Sequence, residues 1–413
     1  MRVALVSTIA VAAFALMGCD STSGAGGGGS TSSAGTGGAS SSVGTGGATS
    51  TGGNGGATST SGTGGATSTS GTGGATSTSG NGGATSASSG GGGCQSPMID
   101  CNGACVDLTS DPAQCGACGH TCQGGTCSAG KCQPVVIASG QNLPWGVALD
   151  ATHVYWANSG DGTVKKAPVG GGNPIVLATG QPGPRNLVVD SGHVYWANYD
   201  SGTIVKVPVG GGNPVALVGG QDKPIGIAAD ASYVYWTTYG GGTVMKVPVS
   251  GGNPITIASA QTNAYAIALD ASYLYWSTNT NMGTISRVPL AGGGAVVIAT
   301  DQANPYGLAV DTTSAYWVAN DSWTVMKGPV AGGAPVQVAA NQQFPWTVAV
   351  DATTVYWTTF VPASKVMSAP IGGGAPQMVA SWPGFAAHGL ALDATSVYFS
   401  DSLANGSIVK VAK

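Results

Sequence analysis

From residue 140 onward, apolar positions come in short runs and polar positions in short interruptions. Asn186-Leu-Val-Val-Asp190 leads into the turn Ser191-Gly-His and then Val194-Tyr-Trp-Ala197. Thr203-Ile-Val-Lys-Val-Pro208, the glycine turn Gly210-Gly-Gly-Asn213 and Pro214-Val-Ala-Leu-Val218 complete the unit. Short runs rich in Val, Ile, Tyr and Trp, bounded by Gly, Asn and Ser, predict antiparallel β-strands, and no helical apolar period is present. The glycines supply the positive φ that such turns require. Because the runs are almost continuously apolar, the strands are expected to be covered on both faces.

The same unit returns seven times, marked by Asp150, Asp190, Asp230, Asp270, Asp311, Asp351 and Asp393, at spacings of 40, 40, 40, 41, 40 and 42 residues. A period near 40 predicts one four-stranded blade per copy. Pro134-Val-Val-Ile-Ala-Ser139 stands alone before the first copy, and the last copy ends after its third strand, Ser407-Ile-Val-Lys-Val411. The orphan run is expected to supply the missing fourth strand and close the ring, leaving only short, protected edges. The fold expected for 133–413 is therefore all-β, a seven-bladed β-propeller whose N-terminal strand closes the last blade.

Six copies carry a Tyr-Trp pair after the Asp-terminated strand: Tyr155-Trp156, Tyr195-Trp196, Tyr235-Trp236, Tyr275-Trp276, Tyr316-Trp317 and Tyr356-Trp357; the seventh has Tyr398-Phe399. These copies resemble the YWTD repeats of the low-density-lipoprotein-receptor propellers and, more loosely, NHL repeats. The resemblance covers about two-thirds of the chain and implies the fold. YWTD propellers have six blades, and their motif Asp recurs here only at Asp401, with Asn158, Asn198, Thr238, Thr278, Ala319 and Thr359 elsewhere. That family's binding residues therefore do not carry over.

The N-terminal third has a different composition. Arg2 precedes an apolar stretch, Val3 to Leu16, that is short beside the ~20 residues of a membrane span and reads as an export signal. It ends Leu16-Met17-Gly18-Cys19, which resembles the lipobox of bacterial lipoprotein signals and implies lipidation of Cys19 and attachment to a membrane. Asp20 resembles an inner-membrane retention signal in some lineages, which leaves the membrane open; the outer membrane or cell surface is the favoured expectation and the periplasmic face of the inner membrane the alternative. Residues 20–93 are almost entirely Gly, Ser, Thr and Ala, with a nine-residue unit recurring at Gly46, Gly55, Gly64, Gly73 and Gly82. Such a segment has nothing to bury against its backbone entropy and is expected to be a disordered linker, with a mean reach of roughly 45 Å by random-coil scaling.

Residues 94–132 hold Cys94, Cys101, Cys105, Cys115, Cys118, Cys122, Cys127 and Cys132. An even number of cysteines in a small exported segment predicts a disulfide-stapled module, with the pairing open among 105 connectivities. The run from Cys101 to Gly119 resembles a Cys-rich module of bacterial surface lipoproteins. A zinc site on Cys115, Cys118, Cys122 and His120 is the alternative that the spacing permits. A spacer role is expected of this module, and no cofactor or metal is expected for the chain.

Candidate chemistry concentrates at the ring's variable face. The first strand of each blade is expected to line the channel, with the fourth-to-first and second-to-third connections sharing one face, the top. The position five before each Asp reads Trp145, Arg185, Ile225, Tyr265, Tyr306, Trp346 and His388. The second-to-third connections add Asn198, Tyr199, Tyr239, Asn279, Asp321, Trp323, Phe360 and Asp401. Flat aromatics with amides and a few charges suit stacking on sugars or gripping a peptide; the bland alternative is that Trp145 and Trp346 plug the channel. The recurring Asp, together with Lys166, Lys206, Lys246, Arg287, Lys327 and Lys410, repeats too regularly for one site and reads as structural.

The chain has 17 acidic residues, all Asp, and a net charge of −4, which argues against a nucleic-acid partner. Propeller lyases of the streptogramin type and gluconolactonase-like metal hydrolases use a Glu as base or metal ligand, and the chain contains none. The expectation is a monomeric propeller, displayed from the envelope as a binding module for a glycan, peptide or protein, and not an enzyme. An envelope assembly role, or less readily a propeller lyase or hydrolase, is the alternative.

Overall fold

The computed structural model describes residues 94–360, 364–382 and 387–413. The export signal, Cys19 and the 20–93 linker lie outside them. Seven four-stranded antiparallel sheets form, six of them in simple meander order. Blade 2 shows the pattern: Pro184–Val189 innermost, then His193–Asn198, Thr203–Pro208 and Val215–Val218. In blade 7, Leu390–Leu392, Ser396–Asp401 and Gly406–Ala412 are completed by Val135–Gln141, paired antiparallel to the C-terminal strand. Ring closure by the orphan strand is thus as the repeat count implies.

The second strand carries the core. Its Trp is fully buried in blades 1 to 6, at Trp156, Trp196, Trp236, Trp276, Trp317 and Trp357, with Phe399 in blade 7. Tyr and Trp point to opposite faces of the strand, so each blade sends Trp toward the preceding blade and Tyr toward the next, as where Trp236 packs with Tyr195 and Trp196 with Tyr155. The outer strands depart from the expectation of two covered faces. Ile175, Val176, Val215, Val296, Val297 and Val336 are each at least half exposed, because no element lies beyond the rim.

Each buried indole N–H needs an acceptor. Gln141, Gln181, Gln221, Gln261, Gln302 and Gln342 supply it, with Nε1 to Oε1 distances of 2.9, 3.1, 3.0, 2.8, 2.8 and 2.9 Å. Each Gln is oriented by donating its amide N–H to the carbonyl two residues earlier, as Gln181 does to Thr179 at 3.0 Å. The fourth-to-first connection is therefore not wholly variable. Where blade 7 has Phe399, with no N–H, the corresponding position is Gly384 and the Gln is gone.

The bottom face repeats one arrangement. Asp230 accepts the N–H groups of Ser232 and Tyr233 on Oδ1 and the Tyr235 hydroxyl on Oδ2, all at 2.7 Å. Tyr195, Tyr275, Tyr316 and Tyr398 make the same bond in their blades at 2.7 to 2.9 Å. Burial pushes the Asp150 carboxyl up, but the bonds from Tyr155, Thr152 and His153 outweigh it and hold the group at about 2. Lys166 and Lys206 donate to the Val209 and Val249 carbonyls of the next blade, both at 2.6 Å. Lys327 reaches Ile371 at 3.1 Å and Lys410 reaches Val169 at 3.4 Å. These cations staple neighbouring blades, in keeping with their structural reading.

The Cys-rich module pairs Cys94 with Cys105, Cys101 with Cys118, Cys115 with Cys127 and Cys122 with Cys132. The sulfurs of the alternative zinc set are thereby engaged in disulfides. The module sits at the bottom of blade 7, where the other blades have a glycine turn between third and fourth strands. Cys132 and Ala412 share one buried cluster. His120 Nε2 lies 2.7 Å from the Lys413 carbonyl oxygen, and Lys413 Nζ lies 2.8 Å from Asp351 of blade 6. The module is therefore docked against the seam as well as preceding it.

Candidate functional site

At the top, pairing between first and second strands is broken at the same place in blades 1 to 6. In blade 1, Pro144 pairs with Asn158 and Val147 with Trp156, so Trp145 and Gly146 face the single residue Ala157. The same shift recurs in blades 2 to 6. A bulge of this kind re-aims the side chain it carries, and the residue it carries is the one five before each Asp. Glycine follows in four copies because the inner strands converge: a Cβ on Gly146 would stand 2.7 Å from the Arg185 carbonyl oxygen, and one on Gly389 would stand 2.5 Å from that of Trp145. Hydroxyls from the second strands lock the bulges. Thr237 Oγ1 accepts the Gly226 N–H at 3.0 Å and donates to the Tyr265 carbonyl of the next blade at 2.6 Å.

The bulge side chains meet one another and His388 of blade 7. The Trp145 and His388 rings stack at 3.8 Å, 7° from parallel. Tyr306 stacks on Trp346 at 4.2 Å, and Trp346 on Phe360 at 4.9 Å. Edge contacts join Tyr265 to Tyr306 at 4.9 Å, Trp346 to His388 at 5.0 Å and Tyr239 to Tyr265 at 6.1 Å. Trp145 and Trp346, on blades 1 and 6, stand 6.5 Å apart edge to face. Ile225 is buried at the same level. Within the channel, beneath and between these rings, a cavity of about 160 Å³ is lined also by Asn186, Leu187 and Thr347.

Arg185 completes the cluster. Its guanidinium lies 3.6 Å from the Tyr199 ring centroid and 4.6 Å from that of Trp145. His388 lines the cavity, and its Nδ1 is buried with no hydrogen-bond partner among the described residues. Burial first, and the Arg185 charge second, depress its imidazole to about 3, so it is neutral near pH 7.

Not every candidate joins this cluster. Trp323 pairs instead with Phe344, 5.6 Å away and further out on the face. Asn198 turns inward, donating to Gln181 and Thr203 at 2.9 and 3.0 Å, and is structural. Asp401 is buried and accepts the Trp382 indole N–H at 3.1 Å; burial raises its carboxyl above the usual range. Phe344 belongs to a position that sequence reasoning missed. The residue seven before the Asp of blades 1 to 6 takes the left-handed conformation, with Leu143, Lys223, Asn263, Asn304 and Phe344 at φ of 51°, 53°, 54°, 49° and 48° and Gly183 at 61°. Leu143 and Phe344 are nonetheless 39% and 41% exposed. The Gly and Asn at this position in other copies are the signal that marks it as a special turn residue.

Structural likeness agrees with this architecture. A streptogramin B lyase is 16% identical over 68% of this chain and 96% of that chain, with a TM-score of 0.59. Virginiamycin B lyase from Staphylococcus aureus is 15% identical over 68% and 98%, with a TM-score of 0.58. The WD40 β-propeller domain of Doa1 is 14% identical over 68% and 96%, with a TM-score of 0.55. At such identities the likeness shows the fold alone. No family model matches the chain, and no curated protein matches it in sequence.

Proposed function

We propose that this chain is a lipid-anchored envelope protein that displays its propeller as a binding module, and that the ligand docks on the top face and is a glycan. The observation that carries the reading is the convergence of Trp145, Arg185, Tyr265, Tyr306, Trp346 and His388 from six blades into one cluster. The repeat alone does not require aromatics there, since blade 2 forms with Arg185 and blade 3 with Ile225 at that position. Aromatic faces bury large areas at little conformational cost and suit the CH faces of pyranose rings. The module lies at the opposite, bottom face, so the cluster faces away from the side where the chain enters at Cys94. The anchor rests on Leu16-Met17-Gly18-Cys19 and the Gly-rich stalk. The reading is binding without turnover: the one imidazole in the cluster is held neutral, and its weakly basic nitrogen suits it poorly to proton transfer at neutral pH.

The test is a panel of glycans and peptides presented to the full chain and to a Trp145→Ala/Trp346→Ala double variant, with a thermal melt of each. Glycan binding by the parent, lost in a folded variant, supports the proposal. Peptide binding alone, or glycan binding that the variant retains, overturns it.

A further inference from the structure

Arg185 is held differently from the lysines that bridge the blades, and like Arg287, 4.2 Å from the Tyr273 ring centroid, it lies against an aromatic face. Lys166, Lys206, Lys327 and Lys410 donate to carbonyls of the next blade. The Arg185 guanidinium makes no hydrogen bond and no ion pair among the described residues; it is held only by stacking on Tyr199 and Trp145. Stacking occupies the faces of a guanidinium and leaves its in-plane N–H donors free, in the fork geometry that matches a carboxylate. Arg185 is half-buried at the channel mouth, close enough to His388 and Tyr265 for its charge to act on both. A fixed cation without a counter-charge, at the edge of an aromatic floor, is a recognition element for an anion attached to a ring.

We infer that the ligand is an acidic sugar, a pyranose bearing a carboxylate, with the carboxylate paired to Arg185 and the sugar face laid on the adjoining aromatics. This rests on the reading of the top face as a glycan site and adds its charge. The backbone favours a sugar over an acidic peptide. The Ser159, Tyr199, Tyr239, Asn279 and Asn320 N–H groups already donate to carbonyls of the neighbouring connection. An extended peptide therefore finds no open ladder there to join. The His388 imidazole, uncharged at neutral pH, adds an unpaired ring nitrogen in place of a second cation. Recognition is thus by one charge and several faces.

The experiment compares the full chain's affinity for di- and trisaccharides of glucuronate and galacturonate with that for the same linkages of glucose and galactose. Acidic sugars are expected to bind at least tenfold more tightly. Arg185→Gln should weaken acidic-sugar binding by about ten- to a hundredfold, in line with loss of charged hydrogen bonds, and neutral-sugar binding by less, so that the acidic-over-neutral preference falls. Arg185→Lys keeps the charge without the fork and should fall between the two; melts of both variants report folding. Equal affinity for neutral and acidic sugars, or acidic-sugar binding indifferent to both variants, overturns the inference while leaving a glycan site in place. Binding of acidic peptides in preference to acidic sugars overturns the sugar assignment. No saccharide binding at all removes both this inference and the functional reading beneath it.

Discussion

The two faces of the propeller are made by the same strands and obey different rules. At the bottom, the Asp of each turn accepts backbone N–H groups, and in six blades a Tyr hydroxyl as well. At the top, one backbone device, the bulge, recurs in blades 1 to 6 and carries Trp, Arg, Ile or Tyr in different blades. Where a side chain repeats with the blade, its partners are within the fold. Where only the backbone repeats, the side chain is free to differ. The difference separates what builds the ring from what the ring presents.

That separation can be broken most forcefully at the tryptophans. Trp236→Ala removes a fully buried indole and should cost about 3–5 kcal/mol of stability in denaturant unfolding. Trp346→Ala, at the half-exposed top cluster, should cost only about 1–2 kcal/mol through its lost ring contacts. Equal costs would erase the distinction between core and display. Next in size is the seam. Replacing Cys122 and Cys132 together by Ala should cost about 2–4 kcal/mol. Hydrogen exchange should then rise in Val135–Gln141 more than in the outer strands of the other blades; uniform exchange would show that the module is not a clasp.

Acid separates the faces by their titrating groups. His388 takes a proton only near 3 in the fold, against about 6.5 in an unfolded chain. Across that window the unfolded chain binds more protons, so stability falls on acidification, by at most about 1.4 kcal/mol per pH unit from this one group. Asp150, held at about 2 against 3.8, contributes stability that is full above 3.8 and lost as pH falls through about 2. His388→Phe should therefore flatten the loss between pH 6 and 4, a window taken at roughly those limits, and leave the steeper loss below it. An unchanged profile would contradict the burial of that ring. The smallest effect belongs to Tyr235→Phe, which removes one bond to Asp230 and should cost about 1 kcal/mol.

The ring was legible in the sequence because its signals repeat. The Asp period gave the blade count, the orphan strand gave the closure, and the position five before Asp named the side chains that converge. Other features were legible and overlooked. Six Gln residues stand fifteen positions before six Trp residues, and both change together in the seventh copy, yet a Gln in a turn signals nothing until the indole it serves is placed. The inward turns of Asn198 and Asp401 were hidden for the opposite reason: polar residues in a surface connection read as exposed, and only the packing shows them accepting or donating beneath it. The disulfide pairing required three dimensions. So did the seating of the module, since nothing in its own composition points to Lys413.

The most direct test of the display face is amide hydrogen exchange of the full chain, free and bound to the tightest saccharide of the panel. The account predicts protection in the top connections that carry Trp145, Arg185, Tyr265, Tyr306 and Trp346, with the Asp turns and glycine turns of the bottom unchanged. Protection confined to the bottom turns or the outer strands would contradict it.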